Sequence, residues 1–347
     1  MTRLIDCLRS KNCARTVLIT GIAVLTVGVF ALPLIQALVT SFLSPAQISA
    51  IDAPLLPAEP QMFRYAWREY PLYNVPMPSG EQKTLALVKE GRRQSQFLDP
   101  QHPDAGAIVW KGGLGNARQL WRHGLDTGNY VAAWFLTNFV LLFRNTLIYA
   151  LLSTFGVAVS SLIVAYGFAR FEFKGRDLLF VGVIITLLLP MHVMILPKYA
   201  FFKWIGWIGT WLPLIVPNYF ATNALYIFLL RQFLMNIPRE LDEAAALDGA
   251  GPLRTLFWVV LPQAAPALMT VIMFHVVYCW NDFFEPSLYL AGIPAKFPIS
   301  TALVQQGFLP GPILQAAGLL ASIVPLAIFF AAQRFFIKGV VISGVEK

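Results

Sequence analysis

The chain has 347 residues, of which 57% are hydrophobic and only 13% are charged. Its mean hydropathy is +0.63, whereas soluble domains carry about 25% charged residues. This composition excludes an ordinary soluble globular protein and favours one embedded in a membrane. The formal net charge of +8 is compatible with nucleic-acid binding, so the positions of the charges have to decide that point.

Six windows free of Asp, Glu, Lys and Arg are long enough to be transmembrane helices, since a bilayer core takes about 20 helical residues to cross. A backbone in lipid must satisfy its own hydrogen bonds, so each window is predicted to be helical. The fold class predicted is therefore an all-α polytopic membrane protein with six spans. The windows are Val17–Leu43, Asn145–Ala169, Leu178–Pro197, Thr210–Leu230, Thr255–Asn281 and Ile313–Ala332.

The basic residues are distributed unevenly between the connecting segments. If the N-terminus is cytoplasmic, the cytoplasmic segments hold thirteen Lys and Arg, and the two short segments on the opposite side hold three. Short loops rich in Lys and Arg face the cytoplasm. The positive charge thus indicates topology, with both termini inside, and nucleic acid is not an expected partner.

The first apolar window follows a basic N-terminal tail, residues 1–16, as a signal peptide would. It is longer than the usual apolar region of a signal peptide, and no clear cleavage site follows it. We therefore predict an uncleaved span over residues 17–43. Cys7, Cys13 and Cys279 have no spacing that suggests a metal site, and they are predicted to be reduced.

An insertion of residues 44–130 separates the first two windows and is predicted to be extracytoplasmic. It is too long for a simple connection. Its aromatic residues, the amphipathic stretch TLALVKEGRR and the apolar patch AIVW favour a small packed cap over disorder. A loop that lies passively on the membrane surface is the alternative.

Several later windows contain proline, which removes a helical hydrogen bond and tends to kink the helix. These prolines are Pro190, Pro213, Pro217, Pro262, Pro266 and Pro325. Kinked helices around a cavity suit a transport pathway, but proline is also commoner in membrane helices than in soluble ones.

The stretch ELDEAAALDGA, Glu240–Ala250, is predicted to be a short cytoplasmic helix. Pro238 suits a first helical turn, the acidic residues that follow favour the positive end of the helix dipole, and Gly249 suits a left-handed stop. A second helix is predicted to begin near Pro252 and to continue into the fifth window. Small alanine side chains and carboxylates would allow close, charge-assisted contact with another protein.

This stretch, followed by Leu261 and Pro262, resembles the EAA motif of binding-protein-dependent ABC transporter permeases. RNTLIYALLSTFGVAVSSLIVAYGFARFEFKGRDLLF, WNDFFEPSLYL and VPLAIFFAAQRFFIKGVVISGV are similar to the carbohydrate branch, of the maltose-transporter type. The resemblance covers residue 145 to the end and the first span by position. The insertion is longer than expected in that branch.

The resemblance implies a permease subunit of an ATP-driven importer in a bacterial inner membrane, for a sugar or another polar solute such as a glycerophosphate. It implies as partners a pair of ATP-binding subunits, a second permease and an extracytoplasmic solute-binding protein. The residues implied in coupling to ATP hydrolysis are Glu243, Ala244, Ala245, Asp248 and Gly249. No GxxxxGK[ST] phosphate loop occurs, so ATP hydrolysis is assigned to a separate subunit, and no cofactor or metal is predicted.

Polar residues inside the windows are candidates for a substrate pathway, because burying them in lipid is costly unless they face a cavity or a partner. Hydrogen bonding between helices is the other role. The candidates are His192, Asn218, Asn223, His275, Asn281 and Gln315. Trp207, Trp211, Trp280 and Tyr278 could stack on a sugar, but aromatic residues near span ends also belong to the membrane interface.

The predicted organisation is a tail (1–16), a first span (17–43), the insertion (44–130), a core with five spans (131–340) and a second tail (341–347). The core includes the EAA loop at 235–254. Two other classes are alternatives. A membrane-embedded enzyme would need a partner for His192 or His275, and no HExxH spacing occurs. An ion-coupled transporter usually carries carboxylates within its spans, and the six windows contain none.

Overall fold

A computed structural model describes residues 11–50, 52–77, 81–91 and 93–341, without the side chains of 11–14, 191–192, 332 and 334–341. Residues 1–10 and 342–347, which include Cys7 and most of both predicted tails, lie outside the described residues. The chain divides into two compact units. One comprises Met1–Ala133 with Phe308–Leu319, and the other comprises Trp134–Gly307 with Leu320–Lys347.

The first unit begins with helix α1 (Lys11–Ser41), which contains the first apolar window, and a short helix α2 (Pro45–Ser49). Eight strands follow: β1 (Ala58–Pro60), β2 (Met62–Tyr65), β3 (Arg68–Pro76), β4 (Gln82–Lys89), β5 (Ser95–Leu98), β6 (Ile108–Trp110), β7 (Arg118–Gln119) and β8 (Trp121–His123). Strands β2 to β6 form an antiparallel sheet in sequence order, β7 pairs with β3, and β1 pairs with β8.

The prediction that the whole fold is α-helical is therefore wrong for residues 58–123. The stretch interpreted as amphipathic, TLALVKEGRR, lies mostly in β4, where Leu85 and Ala86 are fully buried. A small core of aromatic and branched residues holds the sheet together: Tyr73, Val75, Leu85, Phe97, Trp110 and Ala117. This packed core explains why the segment is rich in aromatic residues, which a disordered linker lacks.

The second unit consists of helices. They are α3 (Gly128–Leu136), whose first residues belong to the first unit, α4 (Phe139–Arg170), α5 (Arg176–Thr186), α6 (Met191–Trp204), α7 (Leu212–Ile215), α8 (Ala224–Met235), α9 (Glu240–Leu247), α10 (Pro252–Thr255), α11 (Leu261–Asn281), α12 (Phe284–Tyr289), α13 (Ile299–Gln305) and α14 (Gly311–Val341). Helix α14 begins in the first unit and ends in the second.

Five helical segments in the described residues are long and apolar enough to cross a membrane: Arg15–Ser41, Phe139–Arg170, Leu212–Met235, Pro252–Asn281 and Gly311–Ala331. The third predicted window, 178–197, forms two shorter helices, α5 and α6. The break falls at Pro190, which is extended, with φ −61° and ψ 126°. Proline cannot donate a helical hydrogen bond and its ring clashes with the preceding turn, so the helix restarts after it.

The other interior prolines are accommodated in different ways. Pro217 lies in a 3₁₀ segment, Val216–Phe220, which ends at Ala221 with φ +51° before α8 begins. Pro262 follows a π-helical turn, Leu256–Val260. The wider turn suits a position where the next residue has no N–H to donate. Pro266 and Pro325 lie inside α11 and α14.

Two buried clusters hold the second unit together. One joins α4, α8, the π-helical turn and α11 through residues such as Leu162, Leu230, Leu256 and Val271. The other joins α4 with α6, α7, α12 and α13 through residues such as Tyr149, Phe202, Tyr289 and Ile299. Helix α4 therefore packs in both clusters, which makes it the central element of this unit.

Candidate functional site

The first candidate site is helix α9, and its ends are fixed by local chemistry. Glu240, Asp242 and Glu243 lie in its first turn, where the helix dipole favours negative charge. At the other end Gly249 adopts φ +75°. The Ala250 N–H donates to the Ala245 carbonyl at 2.9 Å, and the Gly249 N–H donates to that of Ala246 at 3.0 Å. These two bonds form a Schellman cap. The predicted left-handed end of the helix at Gly249 is therefore confirmed.

After this cap the chain continues directly into the long apolar helix α11. Gly251 precedes α10, which begins at Pro252 as predicted, and the π-helical turn joins α10 to α11. The helical segment from Pro252 to Asn281 is one of the five membrane-length helices. Only a few residues of connecting backbone therefore separate α9 from α11.

The two faces of α9 have different environments. Ala245 is buried, with 8% exposure, and Leu241 packs against the cluster of α4, α8 and α11. Glu243, Ala244 and Asp248 are exposed. Of the residues that the EAA resemblance assigns to coupling, Ala245 therefore lies on the buried face of the helix. The exposed face carries Glu243, Ala244, Asp248 and Gly249, which are accessible to a partner.

Leu247 also belongs to the outer face of α9, and sequence reasoning missed it. Its side chain is 90% exposed beside the carboxylates. An isolated exposed leucine is common on protein surfaces. On a short helix that otherwise exposes acidic and alanine side chains, it adds an apolar contact point for a partner. The signal available in the sequence was its spacing of four residues from Glu243, which places both on one face.

The second candidate site is a cavity of about 440 Å³ within the second unit. Thr186, Leu187 and Leu189, at the break between α5 and α6, line it, as do Thr222 and Asn223 at the break before α8. Irregular backbone within a membrane domain is tolerated where it lines a cavity or is covered by protein. Both breaks in the apolar helices therefore face one space.

A hydrogen-bonded cluster forms part of the cavity wall. Ser153 Oγ lies 2.6 Å from His275 Nε2, and the Asn218 side-chain amide donates to Ser153 Oγ at 2.8 Å. His275 is 2% exposed. Ser153, in the middle of α4, thus joins two predicted pathway residues that are far apart in sequence. These residues bond between helices and lie at a cavity, so their placement is compatible with both roles considered above.

The other predicted pathway residues are placed differently. Asn223 lines the cavity and also caps α8 by accepting from the Tyr226 N–H. Asn281 is exposed and donates to the Val277 carbonyl. Gln315 is exposed on α14. His192 belongs to α6, but its side chain lies outside the described residues.

Among the four candidate aromatic residues, Tyr278 lines the cavity. The Trp211 N–H donates to the Lys296 carbonyl, and that of Trp280 donates to the Ala321 carbonyl. Trp207 stacks on Phe202 with ring centroids 5.8 Å apart. These three tryptophans are thus engaged in packing and hydrogen bonding.

One ion pair lies at the cavity. Lys198 Nζ, from α6, is 3.3 Å from Glu285 Oε1, from α12, and their side chains are 46% and 14% exposed. Sequence reasoning missed both residues, because Lys198 and Glu285 fall just outside the charge-free windows. The pair adds one cation and one anion to a wall that also contains hydroxyl, amide, imidazole, aromatic and aliphatic groups.

The sequence matches, over residues 156–342, the family described as binding-protein-dependent transport system inner membrane component. The chain belongs to this family. It is therefore a permease subunit of the inner membrane, as the resemblance to EAA-motif permeases predicted.

Relatives and a solved structure agree with this assignment. The chain is 32% identical over 259 residues to the sn-glycerol-3-phosphate transport system permease protein UgpE of Pectobacterium atrosepticum, with 72% of this permease and 86% of that protein covered. It is 31% identical to the osmoprotective compounds uptake permease protein GgtD of Synechocystis sp., with 59% and 70% covered. A bacterial ABC transporter for import of the acidic polysaccharide alginate has the same fold, with a TM-score of 0.64 at 19% identity, covering 94% of this chain and 97% of that one.

Proposed function

We propose that this permease works in an ATP-driven importer for a sugar or a related hydroxylated solute, with a separate ATP-binding subunit docking on helix α9. The observation that carries the proposal is the form of α9. It is a rigidly capped helix with an exposed face of Glu243, Ala244 and Leu247, joined by a short connection to the membrane-length helix α11. Such an element can pass motion from a partner to the membrane.

We propose six membrane crossings with both termini in the cytoplasm. The third crossing would be made jointly by α5 and α6, which follow one another around the break at Pro190. Broken helices of this kind are typical of transporters, where the break lies at the substrate path. This arrangement puts α9 in the cytoplasm and the β-sheet of residues 58–123 on the outer side.

The proposed partners are a pair of ATP-binding subunits, a second permease and an extracytoplasmic solute-binding protein. The β-sheet offers the last of these a folded surface, with Trp67 93% exposed at the tip of the β2–β3 hairpin. Ala66 and Trp67 both have positive φ, at 49° and 66°. Residues other than glycine adopt this conformation at a cost, and such strain is often found at functional positions.

The cavity suits a neutral hydroxylated solute. Its lining offers the Asn218 amide, the hydroxyls of Thr186 and Thr222, and the ring of Tyr278. Sugars bind through the same combination of hydrogen bonds and aromatic contact. The charge of Lys198 is already balanced by Glu285, so the lining residues that the structure describes carry no surplus charge of either sign.

A glycerophosphate-like anion is the second candidate, because Lys198 is half-exposed at the cavity and could leave Glu285 for a phosphate. Replacing Lys198 by Gln distinguishes the two solutes. Losing a charge-assisted bond to a phosphate would reduce affinity by about tenfold or more, whereas a neutral sugar should be affected little. Solute binding should be compared in a panel of sugars, polyols and glycerophosphates.

Purification of the tagged chain from its native membrane, followed by reconstitution of the assembly in vesicles, tests the function itself. We expect recovery of an ATPase and a second permease, and ATP-dependent uptake of a hydroxylated solute. Uptake that proceeds without ATP, driven by a proton or sodium gradient, would contradict the proposal.

A further inference from the structure

Arg170, the last residue of α4, binds the segment that leads into α9 at two points. Its Nη2 donates to the Ile237 carbonyl at 3.0 Å, and its Nε lies 3.1 Å from Asp242 Oδ2 on α9. The Arg170 side chain is only 6% exposed and that of Asp242 is 23% exposed. In the described part of the chain, neither the oxygens of this carboxylate nor Arg170 Nε forms a hydrogen bond, so the contact between them is an ion pair.

We propose that Arg170 is a positioning residue that passes the motion of α9 to α4, as a second route beside the covalent connection to α11. The proposal rests on the function proposed above, namely that an ATP-binding subunit docks on α9. The hydrogen bond to the Ile237 carbonyl and the ion pair with Asp242 hold α9 and the segment before it close to the end of α4. A push on the outer face of α9 would therefore displace α4 as well.

The two connections from α9, one through α4 and one through α11, lead to the same pair of hydrogen-bonded residues at the cavity. Helix α4 carries Ser153, about 25 Å from Arg170 at 1.5 Å rise per residue, and α11 carries His275. The Ser153 hydroxyl and the His275 ring are 2.6 Å apart. A relative shift of α4 and α11 would alter this bond and, with it, the Asn218 amide that also contacts Ser153. Motion of α9 would thereby reach the cavity from both sides.

A second ion pair at the same end of the unit provides a matched control. Arg239 Nη1 lies 3.3 Å from Glu172 Oε1, but these side chains are 55% and 77% exposed. Exposed pairs contribute little, because water and salt screen them, whereas the loss of one partner of a buried pair leaves an uncompensated charge. The effect expected at Arg170 should therefore be absent at Glu172.

The test uses the whole importer in lipid vesicles, with paired measurement of ATP hydrolysis, solute uptake and retention of the ATP-binding subunit. Arg170→Gln should lower uptake per ATP hydrolysed by about fivefold or more, the lower end of typical couplings between sites. Retention should stay near wild type, because the outer face of α9 is unchanged. Glu172→Gln should match wild type in all three measurements.

Two further variants separate positioning from general damage. Arg170→Lys keeps the charge but not the two-point geometry, and it should give an intermediate loss at wild-type amounts of assembled protein. Asp242→Asn should lower the ratio as well, and adding it to Arg170→Gln should change little, because Arg170→Gln already removes the ion pair with Asp242.

Wild-type uptake per ATP in both Arg170 variants, or full additivity with Asp242→Asn, would overturn the role of Arg170. If Arg170→Gln does not assemble, Arg170→Lys decides. The result would differ if no ATP-binding subunit acts through α9. In that case Glu243→Ala, on the outer face of α9, would also leave uptake per ATP hydrolysed unchanged. Uncoupling by Glu243→Ala without any effect of Arg170→Lys removes only the second route.

Discussion

Replacement of Gly249 by Ala tests whether the cap of α9 matters for coupling. Gly249 has φ +75°, and a Cβ added there would meet nothing within 4 Å. The cost within the chain is therefore backbone strain alone, about 1–2 kcal/mol for a residue other than glycine. A free-energy cost of that size lowers the ratio of capped to uncapped helix ends by about 5- to 30-fold.

Gly251 provides a control two residues away. Its φ is −74°, and an added Cβ would also meet nothing within 4 Å, so Gly251→Ala carries neither strain nor a clash. Gly249→Asn should lie between the two, because asparagine enters the left-handed region more readily than alanine. Retention of the ATP-binding subunit and uptake per ATP in vesicles should fall in the order Gly251→Ala, Gly249→Asn, Gly249→Ala.

Wild-type behaviour of both Gly249→Ala and Gly251→Ala would refute this reasoning. The strain would then be absorbed locally, and the cap would have no part in coupling. A defect in Gly251→Ala as large as that in Gly249→Ala would instead indicate that any added side chain obstructs the partner. Hydrogen exchange of the Ala250 and Gly249 amides would show directly whether the two capping bonds are weakened.

Three other predictions concern topology and the β-sheet. In a cysteine-free background, an impermeant thiol reagent applied to intact cells should label a cysteine at the exposed position Gln96 and leave one at Asp248 unlabelled; labelling of both would contradict the proposed topology. Replacement of Gln61–Leu120 by a two-residue turn keeps the β1–β8 pair. This variant should still assemble in the membrane but show reduced uptake; unchanged uptake would show that the deleted strands are dispensable for transport. The Lys83 ammonium, 2.6 Å from the Asp99 carboxylate, lowers the pKa of Asp99 below its ordinary value. The ionised Asp99 therefore stabilises the folded sheet at any pH above the pKa that Asp99 has in the unfolded chain. This stability is lost as the pH falls through the lowered pKa of the folded state. Hydrogen exchange in β4 and β5, corrected for intrinsic rates, should therefore rise on acidification in wild type and change less in Asp99→Asn. An identical pH response in both proteins would exclude the Asp99 carboxyl as the cause of the pH dependence.

The sequence alone determined the features that depend on local chemistry. Charge-free windows predicted the long apolar helices, because lipid requires apolar side chains and an internally bonded backbone over a fixed length. The acidic first turn and Gly249 predicted both ends of α9, because helix dipoles and left-handed caps act within one turn. The EAA spacing predicted the family, which the match over residues 156–342 confirms.

The sheet and the broken third window show where local chemistry was insufficient. The strands of residues 58–123 are two to nine residues long, and such short alternating stretches become strands only when they pair with one another. The sequence predicts a kink at Pro190. Whether a proline bends a helix or ends it depends on the surrounding packing, and here both halves border the same cavity.

Tertiary structure alone decided which residues act together. Ser153 and His275 are 122 positions apart, and Arg170 meets Ile237 across 67 positions, so no periodicity or spacing could join them. The face of α9 was undecided for the same reason. Ala245 turns inward and Leu247 outward because the cluster of α4, α8 and α11 lies beneath the helix, and only the fold puts that cluster there.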